Sequence, residues 1–172
     1  MGGNRLTYNS ISARTRRGDW FFGAISVGLF FFLVGILFIT TPGLYAEIVN
    51  FFKDFASVPV PHTNVYLPAP SSLGAHATVY SAVQQFSLAW AVFMVAMLVG
   101  RIVLRAPIRR QAQNLGDAVF WFGAAYLVQT YLLDTAGLDL TRWFEFWASV
   151  VILAGLSLVA RAAFLIAARE IA

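Results

Sequence analysis

The reactive inventory of this chain is small: two histidines, His62 and His76, no cysteine, and eight carboxylates. Without Cys, disulfides, thiol redox chemistry, iron–sulfur clusters and thiolate metal sites are excluded. His62, His76, Asp134 and Glu145 are the residue types a metal uses, but no pair has helical i,i+4 spacing. A proline-rich stretch also separates the two imidazoles, so a metal site is not expected. Both His precede the second long apolar run, which argues against a haem held between facing helices. Ser and His never fall in a nucleophile elbow, and neither a paired-acid motif nor a Gly-rich phosphate loop occurs. Catalytic residues, cofactors and metal ligands are accordingly not expected, and neither is a nucleic-acid partner.

Two polar constellations remain. The first is Gln84, Gln85, Gln129, Thr130, Asp134 and Glu145. Gln85 lies on the Ala82–Ala89 face, and Thr130 extends the Gly116–Gly123 face one turn before Asp134. Polar groups in a membrane span are costly unless paired or wet. The cluster therefore reads either as an outer pocket at the mouth of an ion path or as hydrogen bonding between helices. The second is the basic turn Arg101, Arg105, Arg109 and Arg110. Its guanidinium groups suit bidentate contact with lipid phosphates or acidic partner residues, or simply fix topology. Asp117, at the inner end of a span, is expected in an ion pair with Arg101 or Arg105, because an unpaired carboxylate there would be expensive.

The elements that carry these groups are apolar. Hydrophobic residues make up 59% of the chain and charged residues 12%, where an ordinary soluble domain has about 25% charged. No charged side chain occurs from Phe55 to Gly100. Spans are expected at about 20–40, 78–104, 117–133 and 143–160. A basic tail (1–19) precedes them. The first run is too long for a signal-peptide core and lacks a small-x-small cleavage site, so it reads as a retained anchor. Within the loop 41–77, residues 44–56 alternate apolar and polar positions at helical spacing, which predicts an interfacial amphipathic helix. Pro59, Pro61, Pro68 and Pro70 then predict extended, polyproline-like chain packed over the bundle.

Orientation follows from arginine placement. With the N-terminus inside, ten of the twelve Lys and Arg residues fall on the cytoplasmic side, leaving Lys53 and Arg142 outside. Small residues repeat every seven positions in each span: Gly28 and Gly35; Ala82, Ala89 and Ala96; Gly116, Gly123 and Thr130; Ala148, Gly155 and Ala162. In lipid, close backbone approach along such faces supplies helix–helix contact, and a seven-residue period predicts left-handed crossing.

Asp19-Trp-Phe-Phe-Gly, Phe51-Phe-Lys-Asp-Phe, Val65-Tyr-Leu-Pro-Ala-Pro and the run from Leu104-Arg-Ala-Pro-Ile-Arg-Arg through Phe120-Trp-Phe-Gly-Ala-Ala-Tyr resemble small, uncharacterised four-span membrane proteins of archaea. The resemblance covers most of the chain and implies no activity and no residue roles. The expected fold is an all-α, single-domain, four-helix membrane bundle, up-down-up-down, with both termini cytoplasmic. The expected role is a non-catalytic scaffold, lipid-associated protein or accessory subunit in the plasma membrane. Its partners would be anionic lipid headgroups and either further copies of itself or partner transmembrane subunits. The competing expectation is a small oligomeric channel or transporter with a polar outer vestibule.

Overall fold

A computed structural model describes residues 23–61, 63–134 and 139–170. The basic tail with Arg5, Arg14, Arg16 and Arg17, and His62, lie outside the described residues. The chain divides into two units, 1–36 and 37–172. The first contains most of α1 (Gly23–Thr40), a charge-free helix of 18 residues.

In the second unit, Gly43 stands at φ 77°, a left-handed conformation that favours glycine, and the chain turns there into α2 (Leu44–Lys53). The expected amphipathic helix thus forms but stops at Lys53, three residues early. Asp54 caps it, and Phe55 enters a strand. β1 (Phe55–Pro59) pairs antiparallel with β2 (Tyr66–Pro70), with Phe55 opposite Pro70 and Pro59 opposite Tyr66.

The described chain is mostly helical, as expected, and this hairpin corrects the polyproline reading of its proline-rich loop, whose extended segments pair. The physical reason lies in the proline spacing. The Ser71 amide donates to Asp54 O (3.0 Å) and the Val60 amide to Val65 O (2.8 Å). Even-numbered residues of β1 and odd-numbered residues of β2 therefore face their partner strand. Pro59, Pro68 and Pro70 all fall on the alternate positions, where an N–H would point away from the ladder. A two-residue proline repeat is compatible with pairing on one side and strips donors from the outer edges, which discourages further strand addition.

A single 3-10 turn, Leu73–His76, leads into α3 (Ala77–Val103). α4 (Ile108–Val128) continues as a π-helical turn, Gln129–Leu133, and α5 runs from Leu140 to Glu170. α3 ends in a tight reversal: the Ala106 amide donates to Arg101 O (2.8 Å) and the Arg105 amide to Ile102 O (3.0 Å). That pattern places Arg105 at the left-handed position, φ 50°, usually taken by glycine. Pro107 then opens α4, where its missing N–H costs nothing.

α4 packs against both α3 and α5. On α3 the buried positions are Val79, Tyr80, Ala82, Ser87, Ala91, Met94 and Met97. The seven-residue period is correct and Ala82 of the expected stripe is buried, but the seam continues through 80, 87 and 94, while Ala89 is half-buried and Ala96 exposed. On α5 the buried positions are Trp143, Phe146, Leu153 and Ser157, so Ala148, Gly155 and Ala162 face outward. Only on α4 is the phase also right. Leu153 lies over Gly123, and the Arg161 side chain lies over Gly116, each where a Cβ would otherwise sit. Small residues admit a neighbour, but bulky aromatic and aliphatic side chains decide which face turns inward.

The helices α1, the stretch Leu73–Val103 and the stretch Leu140–Ala168 are long and apolar enough to cross a membrane. α4 is not among them. Its first turns carry Arg109, Arg110, Gln111, Gln113, Asn114 and Asp117, and its apolar part is completed by the π turn.

Candidate functional site

The polar groups of the second unit collect at its two ends, and the hairpin end is the more built. Asp54 Oδ2 accepts from the Ser72 amide (2.8 Å) and from His76 Nε2 (2.9 Å), while Asp54 O accepts from the Ser71 amide (3.0 Å) and hydroxyl (3.1 Å). One residue thereby ties the end of α2 and the base of the hairpin to the start of α3. The hydrogen bond from His76, then that from the Ser72 amide, hold the Asp54 carboxyl below its ordinary 3.8. An ionised carboxylate only accepts, so Nε2 carries the proton it donates.

Aromatic rings enclose this tie. Phe51 sits edge-on to Phe55 (5.1 Å), His76 (5.2 Å) and Tyr80 (6.0 Å), and Phe55 meets Trp143 at 6.0 Å. Ala69, Leu73, Val128, Leu132 and Phe146 complete the cluster. His76 and Tyr80 are each 4% exposed, and His76 Nδ1 and the Tyr80 hydroxyl make no hydrogen bond within the chain. The nearby Ser71 hydroxyl donates to a carbonyl and not to the imidazole. The arrangement is a carboxylate–imidazole pair that latches α2 and the base of the hairpin to α3.

The outer constellation read from the sequence divides. Gln84, not Gln85, reaches α4, donating to Gln129 Oε1 at 2.6 Å. Gln85 is exposed and donates to Ser81 on its own helix (3.1 Å). Thr130 and Asp134 do come together, through Arg142. Its guanidinium donates to Thr130 O (3.2 Å) and lies 3.9 Å from Asp134. A cation on the last carbonyls of α4 suits the negative end of a helix. Glu145 is exposed on α5. Of the five residues Gln85, Gln129, Thr130, Asp134 and Glu145, Arg142 thus joins Thr130 and Asp134, Gln129 meets Gln84, and Gln85 and Glu145 are exposed.

At the opposite end, Asp117 accepts from Arg161 Nη2 at 2.6 Å. Its hydrogen-bonding partner is Arg161 of α5, which sequence spacing did not suggest, and the charge of Arg101, one of the two expected partners, acts on it as well. Gly116 makes this possible: any Cβ there would overlap the Arg161 side chain. Arg101 Nη1 also donates to Arg110 O (3.0 Å), bracing the α3–α4 turn, and Gln111 Nε2 donates to Ala106 O (2.9 Å). Arg105, Arg109 and Arg110 are exposed.

Between the ends the buried hydroxyls are used locally, Ser87 on Val83 O (2.7 Å) and Ser157 on Ala154 O (2.8 Å). Sequence reasoning missed Asp54, Arg142 and Arg161 as the organising groups. A separation of 22 residues from Asp54 to His76, or 44 from Asp117 to Arg161, leaves no local signal. Among the described residues no group of three or more His, Asp and Glu is placed to hold a metal ion. No protein-family model, no curated protein and no solved structure matches the chain.

Proposed function

We propose that this chain is a non-catalytic integral membrane protein, a scaffold or accessory subunit that assembles with further copies of itself or with partner helices in the plasma membrane. The observation that carries this reading is where its polar side chains are used. Asp54, His76, Arg142, Asp117 and Arg161 hold the chain's own elements to one another, and the intervening layer is apolar with hydroxyls turned onto their own helices. A conducting path needs polar groups through the thickness of the membrane, whereas the buried polar atoms left without a hydrogen bond, His76 Nδ1, the Tyr80 hydroxyl, Asn114 Nδ2 and Arg161 Nε, lie toward the two ends.

In this reading α4 with its π turn is the third of four spans, over 117–133, and α1, α3 and α5 supply the others. Both termini are cytoplasmic, by the arginine asymmetry. The outward Ala148–Gly155–Ala162 stripe of α5 gives a partner helix a surface that permits close approach. Two experiments test the proposal. Reporter fusions at residues 65 and 112 should report outside and inside respectively. The purified chain in liposomes should conduct no ions above empty vesicles; selective flux would replace the scaffold with the oligomeric channel.

A further inference from the structure

The turn between α3 and α4 combines two kinds of exposed side chain. Arg105, Arg109 and Arg110 are exposed, and so are Ile102, Val103, Leu104 and Ile108, with Val103 74% accessible. A soluble phosphate would find charge here but no use for the aliphatic surface. An acidic protein segment would leave that surface equally uncovered. A phospholipid with an anionic headgroup matches both, with phosphate oxygens on the guanidinium groups and acyl chains on the aliphatic side chains.

The backbone points the same way. Arg105 occupies the left-handed position of the reversal, φ 50°, where glycine is the relaxed choice. A charged side chain is held at the apex of the turn at the expense of a conformation it disfavours. Arg101 Nη1, spent on Arg110 O, fixes the turn from beneath, and Asp117, further along α4, is already engaged by Arg161.

We propose that Arg105 and Arg109 form a seat for an anionic phospholipid at the cytoplasmic surface, with the aliphatic side chains of 102–104 and 108 against its acyl chains. This rests on the membrane reading above and names a partner for its inner face. The test uses the full chain extracted in mild detergent, with the thermal midpoint followed during titration with phosphatidylglycerol, phosphatidylcholine or inorganic phosphate. Phosphatidylglycerol should raise the midpoint, and the other two should not. In the Arg105→Glu/Arg109→Glu double variant the phosphatidylglycerol concentration needed should rise about thirtyfold, from roughly a factor of five for each cation lost near a membrane surface. Arg105→Gly should melt higher than the parent without lipid yet respond less to phosphatidylglycerol, an opposition that loss of folding cannot mimic. An unchanged phosphatidylglycerol response after double reversal overturns the seat, as does an equal response to phosphatidylcholine or to inorganic phosphate. Recovery of the parent chain in the soluble fraction would instead overturn the membrane reading itself.

Discussion

Two glycines from the seven-residue small-residue patterns, Gly123 on α4 and Gly155 on α5, should respond to alanine with opposite signs. At Gly123 an added Cβ would lie 2.8 Å from Leu153 Cδ2 and 3.1 Å from its Cγ, and would overlap Cδ1. Leu153 is 8% exposed, so its isobutyl group has little space to yield. Overpacking of this kind costs about 1–3 kcal/mol, and the better helix propensity of alanine returns at most about 1 kcal/mol. Gly123→Ala should therefore lose up to about 2 kcal/mol after that offset in full, and Gly123→Leu more. At Gly155 nothing lies within 4 Å of the added atom, and Gly155→Ala should gain up to about 1 kcal/mol from propensity alone. Reversible unfolding in mixed micelles, at dilution where the chain is monomeric, reads both. A double-mutant cycle sharpens the attribution. Leu153→Ala removes the obstructing atoms, so Gly123→Ala in that background should lose its penalty, a coupling of about 1–3 kcal/mol. A Gly123→Ala as stabilising as Gly155→Ala, or zero coupling with Leu153, would refute the packing of α4 on α5.

Three further outcomes follow from the polar ties. The Asp54 carboxyl is held below 3.8 by His76 and the Ser72 amide, so its contribution to stability is present above that ordinary value and is lost as pH falls through the depressed one; Asp54→Asn should flatten the acid limb of a stability–pH profile below the ordinary value. Asp117→Asn/Arg161→Met should be less destabilised than the sum of the two single variants, because each single change strands a partner; with both side chains about a third exposed, the difference should stay near 1 kcal/mol. Arg105→Gly should stabilise the lipid-free chain by about 1 kcal/mol in the same micelle assay, through relief of its left-handed backbone.

Much of the helical framework is legible in the sequence because apolar length and proline or glycine punctuation are local properties. Gly43 and Pro107 mark real boundaries, and the charge-free run that ends at Gly100 closes in α3. The β-hairpin was hidden for a related reason. Proline suggests extended chain but does not say whether a second extended segment pairs with it, and only the alternation of Pro59 with Pro68 and Pro70 reconciles proline with a ladder. The small-residue repeats carried the period and not the phase. Gly116 and Gly123 meet α5 because Arg161 and Leu153 fit over them, whereas Gly155 faces outward because Trp143, Phe146 and Leu153 claim the inward face of α5. The candidate site was least legible. The latch between Asp54 and His76 and the pair between Asp117 and Arg161 join residues brought together by tertiary structure alone. Gln84 rather than Gln85 reaches α4 because one helical residue is 100° of rotation, a distinction that requires the true inward face to be known.

The claim that this chain is an assembling membrane subunit is tested most directly by the mass of the particle it occupies. Gentle extraction of the full chain from its native membrane, followed by native mass spectrometry, should yield a complex larger than the 18.9 kDa monomer, made of further copies or of partner subunits. Gly155→Leu should shrink that particle while leaving the monomer folded. A lone 18.9 kDa chain under the mildest extraction, conducting ions when reconstituted by itself, would contradict the account.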